Sequence, residues 1–577
     1  MKKIYGFLGA VALLSLASCS KDVEGPSEAV EAKGDFYMSM NITQLTAPGT
    51  RTTTGEEGQE VGKDYENKIS DAMLFFATRS EGTPTTYTIF KRVEITGSDI
   101  MGTDPAVATF EMQRSTFSAL TEEGTTYYLF MVTNVNASGV KAKLPAEGTT
   151  VQSVLEGIPA DNYWTNNNFV MSSAEFSAKL LKASDVAKGT HTTKGEPLQL
   201  GSVTVQRIMS RFDLMTDETH TKFTAVAEKP ETAFLKNLTV TFDAVALVNM
   251  AQTVNLYKEV GDLRTGNYDD TQNPTYTENT WSFFRPETTT NYVFSPEQTS
   301  FTYPLFLEDG QENASVTDGN LTGKQVNLET KFSYDKLASI AVPERADNSY
   351  THPNTTNPTD EPNYFFWRYC TENTNYDKYN QYNGNTTGVI FRAELGGTPF
   401  TNAAGEPVYA YGNVVLGNAD AFKAYVAGND PGDDVYGFIK ARYNAAVDAL
   451  NAYLKSQGQP EWEAETGTFS ALDTYLVSKG FTIYRANENK YYAYYIYWNR
   501  HNDNIDNGLM GETEFATVRN NVYKLKVKSV LKLGRPADPN DDPDPDDPGD
   551  EDEKEDLWGE VSCEILPWEV RINGIEF

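Results

Sequence analysis

Few residues of this chain are of the types that carry out covalent chemistry, and most of them lie far apart in the sequence. The three cysteines are Cys19, Cys370 and Cys563, and the four histidines are His191, His220, His352 and His501. The histidine spacing matches no metal-binding pair, and the sequence contains no G-x-S-x-G, H-E-x-x-H, P-loop or dinucleotide-binding pattern. Three cysteines provide no disulfide framework. The sequence therefore predicts neither an enzyme nor a cofactor or metal site.

Cys19 is the cysteine with a recognisable chemical role. Two lysines precede an apolar run over residues 4–16, which is the pattern of a secretion signal. Leu16-Ala17-Ser18-Cys19 looks like a bacterial lipobox, in which the cysteine is acylated and becomes the new N-terminus. An ordinary signal cleavage near Cys19 is the alternative. We predict a signal peptide over residues 1–18 and a lipid anchor at Cys19 that holds the exported precursor to a membrane.

Arg51 lies in a segment suited to a different covalent step, the cleavage of the backbone. The surrounding Ala-Pro-Gly-Thr-Arg-Thr-Thr-Thr-Gly offers no large apolar side chain that could pack into a core. Exposed segments of small and polar residues are the usual sites of proteolysis. A cut at Arg51 would separate everything before it from the rest of the chain.

The segment just before this loop has the pattern of a strand built for burial. Its two alternating rows are Phe36, Met38, Met40 and Ile42 on one side and Tyr37, Ser39, Asn41 and Thr43 on the other. A period of two residues predicts a β-strand with one face on a core. Burial of the four apolar side chains would contribute at most about 6–12 kcal/mol. If a cut at Arg51 released this strand, the vacated slot would have open strand edges and could accept another strand.

The rest of the chain is also rich in strand-forming residues. It contains 33 Tyr and 30 Phe but 12 Met, a balance that favours β-strands. Candidate strands separated by turn residues are Lys68–Thr78, Thr125–Asn134, Gly201–Met215, Leu235–Leu247, Gly388–Leu395, Lys490–Trp498 and Asn521–Leu533. Such short strands indicate an all-β protein of packed antiparallel sheets with minor helices. Because 577 residues exceed one ordinary core, we predict two domains, over residues 52–229 and 230–537.

One segment of the C-terminal half has a helical pattern instead. Apolar residues recur at steps of three and four at Val435, Ile439, Tyr443, Ala446, Leu450 and Tyr453. This stripe predicts a helix that docks on a sheet. It lies within a predicted helical insertion near residues 418–478, to which the sequence assigns no role.

Part of the net charge of −33 is concentrated in one segment near the C-terminal end of the sequence. Residues 538–556 contain twelve Asp or Glu, one Lys and four Pro, which predicts an extended, solvated linker. A calcium-binding loop is the alternative, but the EF-hand spacing of ligands and glycine is missing. The acidic balance argues against nucleic acid as a partner, because phosphate binding needs clustered Lys and Arg.

Residues 557–577 beyond this linker have the pattern of two strands interrupted by Pro567. The apolar residues that would fill a slot are Val561, Ile565, Trp568, Val570 and Ile572. Cys563 is interpreted as a small apolar residue of the same face. The alternation breaks at Gly574 and shifts phase at Ile575. We predict that this segment enters the vacated slot of another copy by β-augmentation, which would generate an open head-to-tail filament.

The sequence resembles the fimbrillins of Bacteroidales type V pili, in particular the shaft subunit of the Mfa-type minor fimbriae. Besides the lipobox, the residue 36–43 strand and the Arg51 loop, the resemblance rests on Tyr128–Asn134, Gln206–Phe212, Tyr369–Thr374, the tyrosine-rich Tyr491–Trp498, Val518–Tyr523, and the acidic linker before Pro567-Trp568. Each stretch alone is weak, and their order and spacing together carry the resemblance.

The resemblance implies two transthyretin-like β-sandwich domains in tandem, export as a lipoprotein and maturation at the outer surface by an arginine-specific protease. The matching cleavage site is Arg51, with Thr52 as the new N-terminus, so that residues 19–51 form a propeptide. Arg79 and Arg92 are competing sites, but they lie within or beside strand-like sequence. The matching donor segment is 557–577.

The resemblance also implies a place for the protein and a set of partners. The precursor would sit at the outer membrane through its lipid, and the mature protein would be part of an extracellular fimbria that supports adhesion and biofilm formation. Its partners would be other copies of itself, anchor and tip fimbrial subunits, the arginine-specific protease, and a host or bacterial surface receptor.

Two other roles stay open at the level of sequence. A tip or anchor adhesin is one, although an anchor would keep its lipid and a tip would need no spare donor strand. A surface carbohydrate-binding lipoprotein is the other, because the aromatic cluster Tyr491, Tyr492, Tyr494, Tyr495, Tyr497 and Trp498 could stack on sugars. Strand alternation favours core and cross-strand packing for these aromatic residues instead.

Overall fold

The fold was analysed in a computed structural model of the chain. It describes residues 34–44, 64–80, 86–102, 105–151, 154–155, 158–164, 168–224, 238–262, 282–283, 291–296, 298, 300–307, 316–317, 320–321, 324–325, 327–340, 364–374, 381, 385–401, 405–428, 434–501, 513–530, 532–537, 564–567 and 570–576.

Strands dominate the described part of the chain, which confirms the predicted all-β class with minor helices. The strands of three or more residues are β1 Phe36–Gln44, β2 Ala72–Ser80, β3 Thr86–Ile95, β4 Ala106–Met112, β5 Thr125–Thr133, β6 Met171–Ser173, β7 Ser177–Leu181, β8 Leu198–Arg207, β9 Met209–Met215, β10 Lys222–Thr224, β11 Thr239–Val248, β12 Glu259–Asp262, β13 Asn291–Phe294, β14 Tyr364–Thr371, β15 Gly388–Gly396, β16 Val408–Tyr411, β17 Val414–Gly417, β18 Phe481–Tyr484, β19 Lys490–Trp498, β20 Val522–Ser529, β21 Glu564–Pro567 and β22 Val570–Glu576. The α-helices are α1 Asp64–Asn67, α2 Val135–Ser138, α3 Glu218–Thr221, α4 Leu337–Ile340, α5 Ala419–Ala427, α6 Asp434–Ser456 and α7 Asp473–Val477.

The first eight strands form one sheet. Its order is β3-β2-β5-β6-β8-β1-β4, followed by the short strand Ile100–Met101, and β7 pairs with β5. All of these pairs are antiparallel except that between β1 and β8. The strand that comes first in the sequence is therefore an interior strand of the sheet.

The two faces of this sheet belong to different cores, and β2 illustrates the reason. Leu74 and Phe76 pack into the cluster that contains the apolar residues of β1, whereas Met73 and Phe75 pack into a second cluster. The Phe75 ring stacks on Phe130 of β5 with a centroid distance of 4.8 Å. Because both rows are covered, β2 is apolar throughout its buried part rather than alternating between apolar and polar residues.

Two further sheets combine strands from residues 209–248 with strands of the C-terminal half. One has the order β14-β9-β20-β22-β21, and the other contains β10-β11-β15-β19 with two short strands. The predicted single strand over residues 201–215 is in fact two strands, β8 and β9, which belong to different sheets. Ile208 separates them and is buried, and its amide donates to Val170 O (3.3 Å). Sheet membership thus changes within three residues of continuous chain.

The predicted helix is confirmed as α6, which packs with α5, α7 and strands β16–β18 around a common core. The middle of the predicted stripe is buried, as the prediction requires, at Ile439, Tyr443, Ala446 and Leu450. Its two ends are not. Val435 is 47% exposed and Tyr453 is 53% exposed, because the helix extends past the core that covers its centre.

Several sequence predictions fall outside the described residues. These are the signal peptide and lipobox, the Arg51 loop, the domain boundary at residues 229 and 230, and the acidic linker. The tandem arrangement of two domains therefore stays a prediction. None of the helices in the described ranges combines the length and apolarity that a bilayer span requires.

Arg519, one of the residues in the Val518–Tyr523 stretch, forms a buried ion pair that joins distant parts of the chain. Its guanidinium donates to both carboxylate oxygens of Glu372, at 2.7 and 2.9 Å. It also donates to the carbonyls of Asn255 (2.6 Å) and Leu256 (3.2 Å). Glu372 is 0% exposed. Such a pair stabilises the fold only as long as both partners and their hydrogen bonds are present.

The substitution Glu372→Ala is therefore expected to lower the free energy of unfolding by about 3–5 kcal/mol, because it leaves the Arg519 charge buried without its partner. The matched control is Glu394→Ala, which removes the carboxylate of the surface pair between Lys490 and Glu394. The control is expected to change stability by at most about 1 kcal/mol. Denaturant unfolding followed by tryptophan fluorescence measures both, and equal effects would contradict the structural role given to Arg519.

Candidate functional site

The position of β1 in its sheet makes it the centre of the candidate site. It lies between β4 and β8, antiparallel to β4 from Phe36 opposite Met112 to Ile42 opposite Ala106. It runs parallel to β8, from Met38 opposite Leu198 onward. Both edges of β1 are therefore hydrogen-bonded, as for any interior strand.

The apolar row of β1 is buried completely. Phe36, Met38, Met40 and Ile42 are each 0% exposed and belong to one core cluster with residues of β2, β4, β5 and β8. Phe36 meets Phe117 edge to face at a centroid distance of 6.2 Å. The structure thus places these four predicted residues in a shared interior. Whether the strand is removed in the life of the protein stays a prediction.

Arg114 holds the start of β1. Its backbone amide donates to Asp35 Oδ1 (2.7 Å), and its Nε lies 3.7 Å from Asp35 Oδ2. The guanidinium carbon lies 4.7 Å from the centre of the Phe36 ring, a cation–π contact. Gly34, just before the strand, approaches β4 so closely that a Cβ would come within 2.7 Å of the Met112 amide nitrogen. The N-terminal end of the strand is therefore closely fitted.

The second row of β1 makes polar contacts with β4. Tyr37 Oη donates to Glu111 Oε1 (2.8 Å), and this hydrogen bond to a carboxylate raises the pKa of Tyr37. Ser39 is only 2% exposed. Its hydroxyl donates to Ala108 O (3.1 Å) and accepts from Thr109 (3.3 Å). In this row, Tyr37 is therefore opposite a charged residue, Glu111, and Ser39 is a small side chain enclosed by its neighbours.

The other end of β1 is hydrogen-bonded to α1. Gln44 Nε2 donates to Asn67 O in α1 (2.7 Å), so the end of β1 lies beside α1. Arg207 of β8 joins them, because it donates to Gln44 Oε1 (3.2 Å) and to the Asn67 side chain. Arg51 and Thr52 belong to the segment 45–63 and lie outside the described residues.

A buried polar cluster continues from α1 toward β9. Glu66 accepts hydrogen bonds from Arg211 Nη1 (3.2 Å) and from Tyr369 Oη (2.5 Å). Arg211 also donates to both oxygens of Asp213, at 2.9 and 2.7 Å. Burial, followed by the charge of Glu66, raises the pKa of Tyr369 well above its usual range. Tyr369 therefore acts as a neutral donor that helps to hold the buried carboxylate.

The C-terminal strands β21 and β22 are hydrogen-bonded into a sheet of their own chain. β22 runs parallel to β20, with Val522 opposite Val570, and β21 pairs antiparallel with β22. Among the predicted donor residues, Ile565 lies in β21 and pairs with Ile572 of β22. Val561 and Trp568 lie outside the described residues, as do Cys19, Arg51 and Thr52. The structure does not bring β1 and β22 together, because they belong to different sheets.

Sequence reasoning missed Arg114, Glu111 and Arg207. None of them lies in a motif, and each contacts β1 across a separation of 70 residues or more. The parallel resting place of β22 was also missed. No short-range pattern reports such pairings, since they depend on the order of strands in the sheets.

The aromatic cluster of β19 is mostly interior. Tyr491, Tyr494, Tyr495 and Tyr497 are at most 2% exposed. Tyr492 is partly exposed, and its ring lies 4.7 Å from the guanidinium of Arg392. Burial of four of these rings leaves little aromatic surface for a sugar to stack on, which weakens the carbohydrate-binding alternative.

The described residues contain neither a metal cluster nor a reactive thiol. No group of three or more His, Cys, Asp or Glu in this part of the chain is placed to hold a metal ion. Cys370 is buried, and this burial raises the pKa of its thiol to about 12. A thiol with so high a pKa is protonated at neutral pH and is a poor nucleophile.

Comparison with protein families finds a match in the C-terminal region. Residues 489–573 match the model of the family described as "Major fimbrial subunit protein type IV, Fimbrillin, C-terminal". The matched range begins in β19 and ends in β22, so it includes both β20 and the C-terminal strands that rest on it. No curated protein matches the chain in sequence.

Solved structures with detectable similarity include a fimbrial assembly protein from Parabacteroides distasonis, at 11% identity and a TM-score of 0.21, covering 52% of this chain and 98% of that one. Another is a candidate cell adhesion protein from Bacteroides eggerthii, at 13% identity and a TM-score of 0.26, covering 64% of this chain and 78% of that one. Scores this low carry no argument here. The family match shows that residues 489–573 are similar to the C-terminal region of fimbrillins.

Proposed function

We propose that this protein is the shaft subunit of a cell-surface fimbria, that it is exported as a lipoprotein, and that it polymerises after proteolysis at Arg51. In this proposal the C-terminal strands of one copy replace β1 of the next. The observation that carries the proposal is that β1 fills the interior of a sheet although it precedes the Arg51 segment in the chain. The fimbrillin match favours such a structural role over an enzymatic one.

The slot that β1 would vacate can be filled only by another strand. Its departure would leave the facing edges of β4 and β8 without hydrogen-bond partners. It would also expose the buried apolar residues that now pack against Met38 and Met40. Unpaired edges beside apolar surface are a template for β-augmentation, and a strand of alternating apolar residues satisfies both needs.

A single cut at Arg51 would have two effects in this proposal. The peptide from Cys19 to Arg51 would lose its covalent link to the body and would be held only by the contacts of β1. It would also take the lipid with it, so the body would no longer be anchored. The contacts of β1 stabilise the precursor, and dilution of the cut peptide makes its loss effectively irreversible.

The donor strands have a resting place before exchange. β22 pairs with β20 of its own chain, which covers one edge of each strand. The acidic linker of residues 538–556 precedes them in the sequence and gives them reach. Because slot and donor lie on different parts of the subunit, each exchange leaves a new donor at the far end, and the assembly is an open head-to-tail filament. Anchor and tip subunits would end such a filament.

The tip and anchor alternatives predict different features. An anchor would keep its lipid and would gain nothing from a cut that removes it. A tip adhesin would need a slot but no donor strand, whereas β21 and β22 are present here. The presence of an interior first strand together with a spare strand pair therefore favours the shaft role.

The substitution Arg51→Ala is expected to give a folded precursor that reaches the cell surface, retains its lipid and forms no filaments. The matched control is Arg79→Ala, at the end of β2, which should mature normally. N-terminal sequencing of surface protein and electron microscopy of the cells measure both steps. Wild-type protein that begins at Thr52 supports the proposal. Normal fimbriae on Arg51→Ala cells would refute the requirement for cleavage at Arg51.

The substitution Ile572→Asp is expected to leave maturation at Arg51 intact and to reduce filament formation at least tenfold, because a carboxylate would have to enter an apolar slot without a partner. Ile572→Val is the conservative control and should polymerise nearly as well as the wild type. Both are measured by light scattering after protease treatment of purified precursor. Long filaments from the Asp variant would exclude this strand as the donor.

A further inference from the structure

We propose that Glu111 of one copy and Arg571 of the next form an ion pair that sets the register of the exchanged strand. This inference rests on the proposed function and adds to it the residue-by-residue fit of donor and slot. It starts from the geometry of β1, which shows what each position of the slot accepts.

The slot places two requirements on the second row of an incoming strand, whose residues would replace Tyr37 and Ser39. The position of Tyr37 faces Glu111, whose carboxylate accepts the tyrosine hydroxyl at 2.8 Å. Loss of β1 removes that donor, so a positive residue at this position is favoured. The position of Ser39 is 2% exposed and is occupied by a small side chain, so a small residue is favoured there.

The register of β8 adds a third requirement. Ser39 of β1 is opposite Gln199, and Asn41 is opposite Ser202. Over this interval β1 advances by two residues, whereas β8 advances by three. The extra residue lies in the Leu200-Gly201 step, where Gly201 has a φ of +96°. A donor strand with one more residue at this point would pair with β8 without the irregularity.

The segment from Val570 onward meets all three requirements when Val570 takes the position of Phe36. Arg571 then faces Glu111, and Ile572 takes the position of Met38. Gly574 then occupies the small position of Ser39 and Asn573 is the additional residue, so that the donor advances three residues where β8 advances three. Ile575 and Phe577 then take the positions of Met40 and Ile42. The phase shift at Ile575 thus fits the slot, with the extra residue taken up as a bulge against β4.

Two other registers in the same direction place a carboxylate opposite Glu111. With Trp568 at the position of Phe36, Glu569 faces Glu111 and Arg571 enters the buried position of Ser39. With Val561 at the position of Met38, Glu560 faces Glu111. Carboxylates directly opposite each other destabilise a strand pair. The charge of Glu111 therefore selects among the registers that the apolar residues alone would permit.

Charge exchange in the full-length chain tests this pair. After cleavage at Arg51, Glu111→Lys and Arg571→Glu are each expected to slow filament growth about three- to tenfold, with less difference from the wild type at high salt. The double variant should return to within about twofold of the wild type. Glu122→Lys, at an exposed position after β4, is the matched charge control and should have no effect.

Disulfide trapping reads the register directly, in a Cys563→Ser background. Glu111→Cys combined with Arg571→Cys is expected to give covalent ladders on oxidation of preformed filaments, whereas Glu111→Cys with Asn573→Cys should not. Filaments without ladders, or a double charge variant slower than either single variant, would overturn the ion pair while leaving strand exchange intact. Absence of any filament from cleaved wild-type protein would overturn the proposed function and this inference with it.

Discussion

The structure depends on one strand that completes a sheet from within. β1 supplies hydrogen bonds to both β4 and β8 and buries its whole apolar row, so the sheet is continuous only while β1 is in place. An edge strand could be lost with little consequence for its neighbours. An interior strand cannot, because two backbone edges and an apolar floor become exposed together. This constraint makes a strand near the chain start suitable as a replaceable part.

Polar contacts extend from the end of β1 toward the place where the C-terminal strands rest. Arg207 contacts Gln44 and also donates to Asn520 (3.1 Å), which lies just before β20. Beside them, Arg211 of β9 forms an ion pair with Glu66, and β9 pairs with β20 from Arg211 to Leu214. Gln44, at the end of β1, is therefore linked through Arg207 to the residues that precede β20, the strand with which β22 pairs.

Local patterns were good guides wherever one face of an element is buried and the other is not. The alternation of Phe36 to Ile42 predicted β1, and the spacing of Ile439 to Leu450 predicted α6, because each element buries one row of its own side chains. The same reasoning failed at Ile208, where one apparent strand divides between two sheets, and at Val435 and Tyr453, which extend beyond the core. Periodicity gives the face of an element but not the extent of the surface that covers it.

The sequence by itself determined the all-β class, the alternation of apolar residues in Phe36–Ile42 and in the C-terminal segment, the acidic composition of residues 538–556, and the resemblance to fimbrillins. These follow from composition and from contacts between residues near in the chain. Only the tertiary structure decided that β1 lies inside its sheet, that Arg114 and Glu111 contact it, and that β22 rests parallel to β20. Strand order and register depend on the simultaneous packing of segments hundreds of residues apart, and no local pattern contains that information.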